Sequence, residues 1–410
     1  LTKKKGPFQL LIEQQPNLTP QLLREQRVAL MRTIQTLRGR PLVTYATNIE
    51  ISLPGIPAFI HPQDIVPLSE VLDSIEGDAV DLLLESPGGL AEVTVDIVNL
   101  LRPRFRHVAF IIPHFAMSAG TILTMSGDEI LMDHRSSLGA IDPQFMGSDG
   151  RPQPAQAILT GIETIKREVD ANNGNLHPVY IPILRNVDPG KLQSAHNASE
   201  LSRRLVSEWL AKYKFKDWTT HSSTNAPVTP EDRLSRAREI AGSLCDHQSW
   251  LSHSRPIKIA DLEQMRLKIT DYGKLPELQE AIWSLWVNLH VMMTSANVYK
   301  VYESESVEFY KIAVVQNEPA QVIPFPAVPG SLQTGAQGAS AKFATAGIRC
   351  NKCGSNYRIQ LNFVADEPLQ PGHEAYPQDG IFKCRSCQTV HNLTPLKMQV
   401  EAAARRTVLV

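Results

Sequence analysis

The stretch Ala79–Leu100, AVDLLLESPGGLAEVTVDIVNL, decides the fold. Its first six residues, Ala79 to Leu84, form a short, mostly apolar run, the pattern of a strand covered on both faces. Paired glycines follow at Gly88 and Gly89, and from Gly88 to Leu100 the apolar residues recur at helical spacing. The stretch therefore predicts a strand, a tight turn and a helix. The same order recurs downstream, with a strand at His107 to Ile112, a helix at Ser118 to Met125 and a strand at Glu129 to Met132. Upstream, Leu18 to Leu37 predicts a helix and Pro41 to Ala46 a strand. Short apolar strands alternating with helices predict an α/β fold whose sheet is covered on both sides.

The rest of the chain is read outward from this core. Uncharged residues run from His107 to Gly127, but two histidines and Pro113 interrupt them, so they predict a buried strand and helix instead of a membrane span. Ile158, Ile162, Ile165 and Val169 mark an amphipathic helix from about Ala155 to Asn172. Further helices are predicted from Leu192 to Tyr213, Glu231 to Leu244 and Pro276 to about Val291. Residues 319–347 turn to Pro, Gly, Ala, Gln and Ser and predict a linker. The expected organisation is an N-terminal helical segment (1–40), a core (41–271), a helical extension offering an oligomer contact (272–318), the linker, and a small module at 348–400.

Bulk properties narrow the function. Lys and Arg number 41 against 42 Asp and Glu, so no global field steers the chain to nucleic acid. The start, LTKKKGP, lacks the apolar run of a secretory signal. A cytoplasmic or membrane-associated protein without an integral membrane segment is expected.

Two junctions between strand and helix carry candidate chemistry. At Ser86-Pro87-Gly88-Gly89 the glycines let the backbone turn and expose its amides at a helix N-terminus, where an anion is welcome. At Met117-Ser118-Ala119-Gly120-Thr121 small neighbours leave a hydroxyl on a first helical turn. Taken alone, the first is an ordinary turn and the second an ordinary helix cap.

Together they resemble the Clp/crotonase superfamily, most closely the S49 signal-peptide-peptidase branch and the serine dehydrogenase proteinases. A third matching segment, Gly139-Ala140-Ile141-Asp142-Pro143-Gln144, lies in the expected order. The resemblance spans roughly Pro41 to Asp271 and implies a Clp/crotonase-type repeated β-β-α core with helical additions. It implies Ser118 as nucleophile and the amides around Gly88, Gly89 and Ala119 as oxyanion donors. Ser86, Pro87, His114, Ile141 and Asp142 become candidate substrate contacts, although Asp142 is equally an anchor for a base or a turn-initiating Asp-Pro.

A serine hydroxyl needs a base. The signal-peptide-peptidase branch uses a lysine, and Lys166, 48 residues after Ser118 at the edge of an apolar stripe, matches that separation. Lys191 matches less well. The Clp proteases use a histidine, but none stands near Pro143, and His134 reads as a loop residue. His196, His247 and His253 punctuate the helical region, where spacing alone does not bring them to the serine.

The small module is the most specific chemical motif. Cys350-x-x-Cys353 and Cys384-x-x-Cys387 place four thiols on two knuckles, the pattern of a zinc ribbon holding one structural zinc ion. Cys245 stands apart and reads as a packing residue. Mixed charges around the module favour a protein partner over nucleic acid. The sequence thus predicts a homo-oligomeric serine peptidase acting on peptide or protein substrates. An acyl-CoA or other acyl hydrolase on the same fold, and a non-catalytic scaffold recruiting partners through the zinc module, are the alternatives.

Overall fold

The computed structural model describes residues 5–13, 18–50, 56–146, 152–185, 187–221, 224–313, 342–350, 352–394, 396–397, 400–401 and 407–409. It has a mixed α/β fold and divides into two compact units, Leu1–Ala313 and Val314–Val410.

The larger unit is organised by a seven-stranded sheet. Its strands are β1 (Leu42–Thr47), β2 (Ala79–Glu85), β3 (His107–Ile111), β4 (Glu129–Met132), β5 (Thr270–Asp271), β6 (Val298–Glu303) and β7 (Glu308–Ile312). Their spatial order is β7-β6-β1-β2-β3-β4-β5. β1 to β5 run parallel, while β6 and β7 are added antiparallel at the β1 edge. Residues 272–318, expected to be a helical extension, thus also supply two strands to the main sheet. Lys300 and Glu303, both fully buried, hid β6, while β7 is short, of mixed composition and has no buried residue.

Alternation along the strands separates two apolar layers. Leu82, Leu84, Phe110 and Ile130 pack on one face, against helices α2 (Ile65–Asp73), α3 (Ala91–Leu101), α4 (Ala119–Thr124), α6 (Pro189–Trp209) and α7 (Pro230–Cys245). Leu83, Ala109, Ile111 and Leu131 pack on the other, against α1 (Pro20–Arg38) and α8 (Pro276–Ser295). α1 is bounded by local chemistry: Thr19 accepts from the Leu22 amide at 3.1 Å, Pro20 opens the first turn, and Gly39 closes the helix at φ 67°. Another long helix, α5 (Ala155–Ala171), buries only Ala155, so its isoleucine stripe is half-exposed.

One buried cluster joins the added strands to the parallel core. The Asp64 carboxylate is fully buried and accepts from Tyr45 Oη (2.5 Å), Tyr302 Oη (2.5 Å), the His61 amide (2.8 Å) and Lys300 Nζ (2.6 and 2.8 Å). Lys300 also donates to Phe59 O at 2.6 Å, so all three of its protons are used. Burial pulls this amine down to about 8, against the opposing pull of Asp64. The same burial, reinforced by the Asp64 charge, raises the Tyr45 and Tyr302 hydroxyls.

Removing one partner of a buried, fully hydrogen-bonded charge pair costs about 3–5 kcal/mol. Asp64→Ala is therefore expected to lower the urea midpoint of the larger unit by a corresponding amount. A midpoint within error of the native value would show that the cluster contributes nothing net.

Candidate active site and metal centre

The two glycine-serine junctions meet at the C-terminal end of the parallel strands. Ser86 and Ala116 form a parallel bridge, Phe115–Ala116 pairs in parallel with Ser137–Leu138, and Leu138 bridges Ile257 antiparallel. Thr121 locks the outer segment to α4, its Oγ1 lying 2.7 Å from Ala116 O, 3.0 Å from Gly139 O and 2.9 Å from the Gly139 amide. The three segments singled out by sequence are thereby neighbours.

Ser118 sits at the N-terminal boundary of α4 with φ 50° and ψ −117°, and its hydroxyl makes no capping bond. A positive φ is costly for a residue with a Cβ and is retained only where its surroundings enforce it. Gly88, at φ 111°, leaves the room this needs: a Cβ placed there would lie 2.7 Å from Ser118 Cβ and 3.3 Å from Oγ. Gly89, at φ 143°, faces Ile60 so closely that a Cβ would come within 2.4 Å of its carbonyl oxygen. The Ile60 amide donates to Gly88 O at 2.7 Å, and the Leu90 amide donates to Ile60 O at 3.0 Å. These bonds hold Gly88–Leu90 extended, so α3 starts at Ala91 and not at Gly88 as the sequence predicted. Among the described residues the amides of Gly89 and Ala119 have no backbone acceptor, whereas the Gly88 amide is used on Ser86 Oγ at 3.2 Å.

The other expected site residues are distributed differently. Ser86 is fully buried and shapes the turn through Gly88, Pro87 is half-buried, and Ile141 lies in the core. His114 turns its Nδ1 to Glu85 Oε1 at 3.2 Å and packs on Trp286 at 4.9 Å, on the α8 side of the sheet. Lys166 is exposed on α5, as is Lys191 on α6, and neither has a hydrogen bond to Ser118 among the described residues.

Asp142 is fully buried and gathers two histidines that sequence spacing did not connect to it. His253 Nδ1 lies 2.7 Å from Oδ1, His247 Nδ1 lies 3.0 Å from Oδ2, and Gln144 Nε2 donates to Oδ2 at 3.0 Å. No local signal reveals these contacts, since 111 residues separate Asp142 from His253. Cys245 is buried beside this region, and burial pushes its thiol up to about 11.

Residues 8–177 match the family profile of the ClpP-like SDH-type serine proteinases. Two proteins of Methanocaldococcus jannaschii are similar. Uncharacterized protein MJ0137 is 30% identical over 152 residues, 36% of this chain and 51% of that protein, so the match spans about half of its length. Uncharacterized protein MJ1495 is 31% identical over 221 residues, 49% of this chain and 73% of that protein. The chain belongs to the same family as MJ1495. Within that family it carries an SDH-proteinase-like domain at residues 8–177. A solved structure, the 1510-N membrane-bound stomatin-specific protease, is similar at 18% identity and TM-score 0.21, covering 43% of this chain and 69% of that chain. His247 and His253 lie beyond the matched domain. Among the described residues no helix is long and apolar enough to cross a membrane.

The smaller unit is described by itself. Phe343–Arg349 pairs antiparallel with Asn356–Asn362, and Ile381–Lys383 with Val390–Asn392, each pair turning through one cysteine knuckle. Of the predicted linker, 319–341 lies outside the described residues, and Phe343–Gly347 already belongs to the first strand. The knuckles match: the Gly354 amide donates to Cys350 O and the Gln388 amide to Cys384 O, both at 2.9 Å, with Gly354 at φ 75° and Gln388 at φ 60°. The four sulfurs lie within 4.8 Å of one another, close enough to hold a metal ion. Sulfurs 3.4 Å apart (Cys350–Cys387) and 3.5 Å apart (Cys353–Cys384) approach the roughly 3.8 Å edge of a tetrahedral zinc-thiolate site. The Tyr357 hydroxyl, 3.1 Å from Cys384 Sγ, holds that thiol down at about 5.

Gly88→Ala would drive a methyl group against Ser118. A displacement of about 1 Å at a reacting group can cost about 100-fold in rate. The variant is expected to fold, by circular dichroism, yet to react with a serine-directed fluorophosphonate at least about 100-fold more slowly; labelling at the native rate would contradict the packing described.

Proposed function

We propose that the chain is a serine peptidase of Clp/crotonase type that cleaves peptide bonds through an acyl-enzyme on Ser118. One observation carries this reading: a strained serine, packed on a glycine and left uncapped, stands beside the backbone amides of Gly89 and Ala119. In this reading Ser118 Oγ attacks the substrate carbonyl, the two amides bind the oxyanion, and water releases the acyl group. The ClpP-like SDH-type match over residues 8–177 supports a peptide bond as substrate. An acyl-CoA or other acyl hydrolase would use the same amides and is the second outcome of the test.

Lys166 is the base offered by separation along the chain. Its amine is exposed in the isolated chain, so this role requires α5 to approach Ser118 or a second copy to supply the lysine. Assembly into a homo-oligomer and a cytoplasmic location belong to the same proposal. For the smaller unit we propose one structural zinc ion on Cys350, Cys353, Cys384 and Cys387. An all-thiolate site leaves no open position for substrate, so the module stabilises its own fold and offers a surface to a protein partner.

Native protein is expected to hydrolyse unfolded protein or fluorogenic peptides and to take up a fluorophosphonate, with both lost in Ser118→Ala. Labelling that persists in that variant would remove Ser118 as nucleophile, and cleavage of acyl thioesters without cleavage of peptides would select the acyl-hydrolase outcome. Elemental analysis is expected to find one zinc per chain, lost in Cys384→Ser; a metal-free native protein of unchanged stability would remove the zinc assignment.

A further inference from the structure

The two cysteine knuckles of the smaller unit are built alike, and the likeness extends past the sulfurs. The Cys350 amide donates to Ser355 O and the Cys384 amide to Thr389 O, both at 2.8 Å. Each loop thus closes on a hydroxyl residue two positions after its second cysteine, Ser355 after Cys353 and Thr389 after Cys387. Ser355 Oγ lies 3.2 Å from Cys353 Sγ, and Thr389 Oγ1 lies 3.1 Å from Cys387 Sγ. Backbone closure therefore sets a hydroxyl beside one sulfur of each knuckle.

The likeness breaks four residues after the second cysteine, where the first knuckle carries Tyr357 and the second His391. Tyr357 packs edge-on against Phe382, with ring centroids 5.0 Å apart, and its hydroxyl reaches the other knuckle, 3.1 Å from Cys384 Sγ. His391 is buried, and its Nε2 bonds to nothing among the described residues, Cys350 included. The Tyr357 contact has a direction. The Arg385 amide donates to Tyr357 Oη at 3.1 Å, which occupies a lone pair and leaves the hydroxyl proton to be given. Ser386 Oγ stands farther off, at 3.5 Å, and already accepts from Ser355 Oγ at 3.0 Å. A sulfur deprotonated to hold a metal can only accept, so the proton points at Cys384.

Resting on the four cysteines as ligands of one metal ion, we propose that Tyr357 is a positioning residue of that centre, its O–H held as a donor to the Cys384 thiolate. Four thiolates around a divalent ion leave a net negative charge, and a hydrogen bond from a neutral donor stabilises one of them without replacing it as a ligand. The bond also fixes the Cys384 side chain. Tyr357 is itself held by strand pairing with Ile348, by the Phe382 ring and by the Arg385 amide. Because Arg385 lies inside the second knuckle, the hydroxyl ties the Asn356–Asn362 strand to the loop at 384–387. Metal affinity thereby depends on a residue that belongs to neither C-x-x-C pair.

The test is metal binding by the full chain and by Tyr357→Phe, which keeps the ring on Phe382 and removes the hydroxyl. Competition for zinc against a chromophoric chelator is expected to show affinity about 10–100-fold weaker in the variant, the loss that follows removal of a group hydrogen-bonded to a ligand. With cobalt(II) in place of zinc, the thiolate-to-metal charge-transfer band of Tyr357→Phe is expected at longer wavelength, with the intense visible bands of a tetrahedral site retained. A hydrogen bond lowers the energy of the sulfur lone pair, so its loss moves this band in a way that loosened packing does not. Ser386→Ala, which alters the same loop and leaves the Tyr357 hydroxyl in place, is expected to keep the native affinity and band. Equal zinc affinity in native and Tyr357→Phe chains, an unmoved band at saturating cobalt, or an equal loss in Ser386→Ala would overturn the proposal. A native chain that takes up neither zinc nor cobalt would instead remove the metal centre on which the proposal rests.

Discussion

The Asp64 carboxylate is the constraint on which the site's geometry depends. It takes two tyrosine hydroxyls, a lysine and a backbone amide in a volume closed to water, and through them it joins β1, β6 and the segment Phe59–His61. That segment is hydrogen-bonded along Gly88–Leu90 on both sides of Ile60. The turn carrying the Gly89 amide is therefore held from outside by the segment anchored on this buried ionic cluster as well as from within by Ser86. Preorganised donors of this kind need no reorganisation when charge develops on a substrate.

The second constraint acts between the two junctions. Ser118 tolerates its positive φ because α4 is fixed behind it by Thr121 and because Gly88 offers no side chain in front. Backbone strain at one residue costs roughly 1–3 kcal/mol, which the surrounding buried contacts can sustain. The Ser118 hydroxyl makes no bond to the α4 amides that a capping serine would occupy, and the residue stays half-buried between exposed Gly89 and buried Ala119.

These relations also explain what the sequence could reveal. The strand-turn-helix units at Ala79–Leu101 and His107–Thr124 were legible because their apolar periods are local and their glycines mark the turns. β6 was not, because Lys300 and Glu303 carry charge at positions that the fold buries and pairs; Arg27 answers Glu303 at 3.0 Å from α1. Composition reads such residues as surface, and only the partner, far away in sequence, makes burial tolerable. The cysteine knuckles lie at the other extreme: ligand type and spacing are both written in a few consecutive residues.

The same distinction governs the choice of base. Lys166 was singled out by separation along one helix, and a helical stripe says which side of α5 is apolar without saying whether anything covers it; in this unit only Ala155 of that helix is buried. The contact of His253 with Asp142 was invisible because it joins residues 111 apart in the chain, with α6 and α7 between them. A proton acceptor must be near the hydroxyl, hold a free lone pair and have its resulting charge compensated. Lys166, exposed on α5, would meet the first requirement only where α5, or that of a second copy, is carried to Ser118. The base of this site is therefore decided by packing across the chain and not by separation along it.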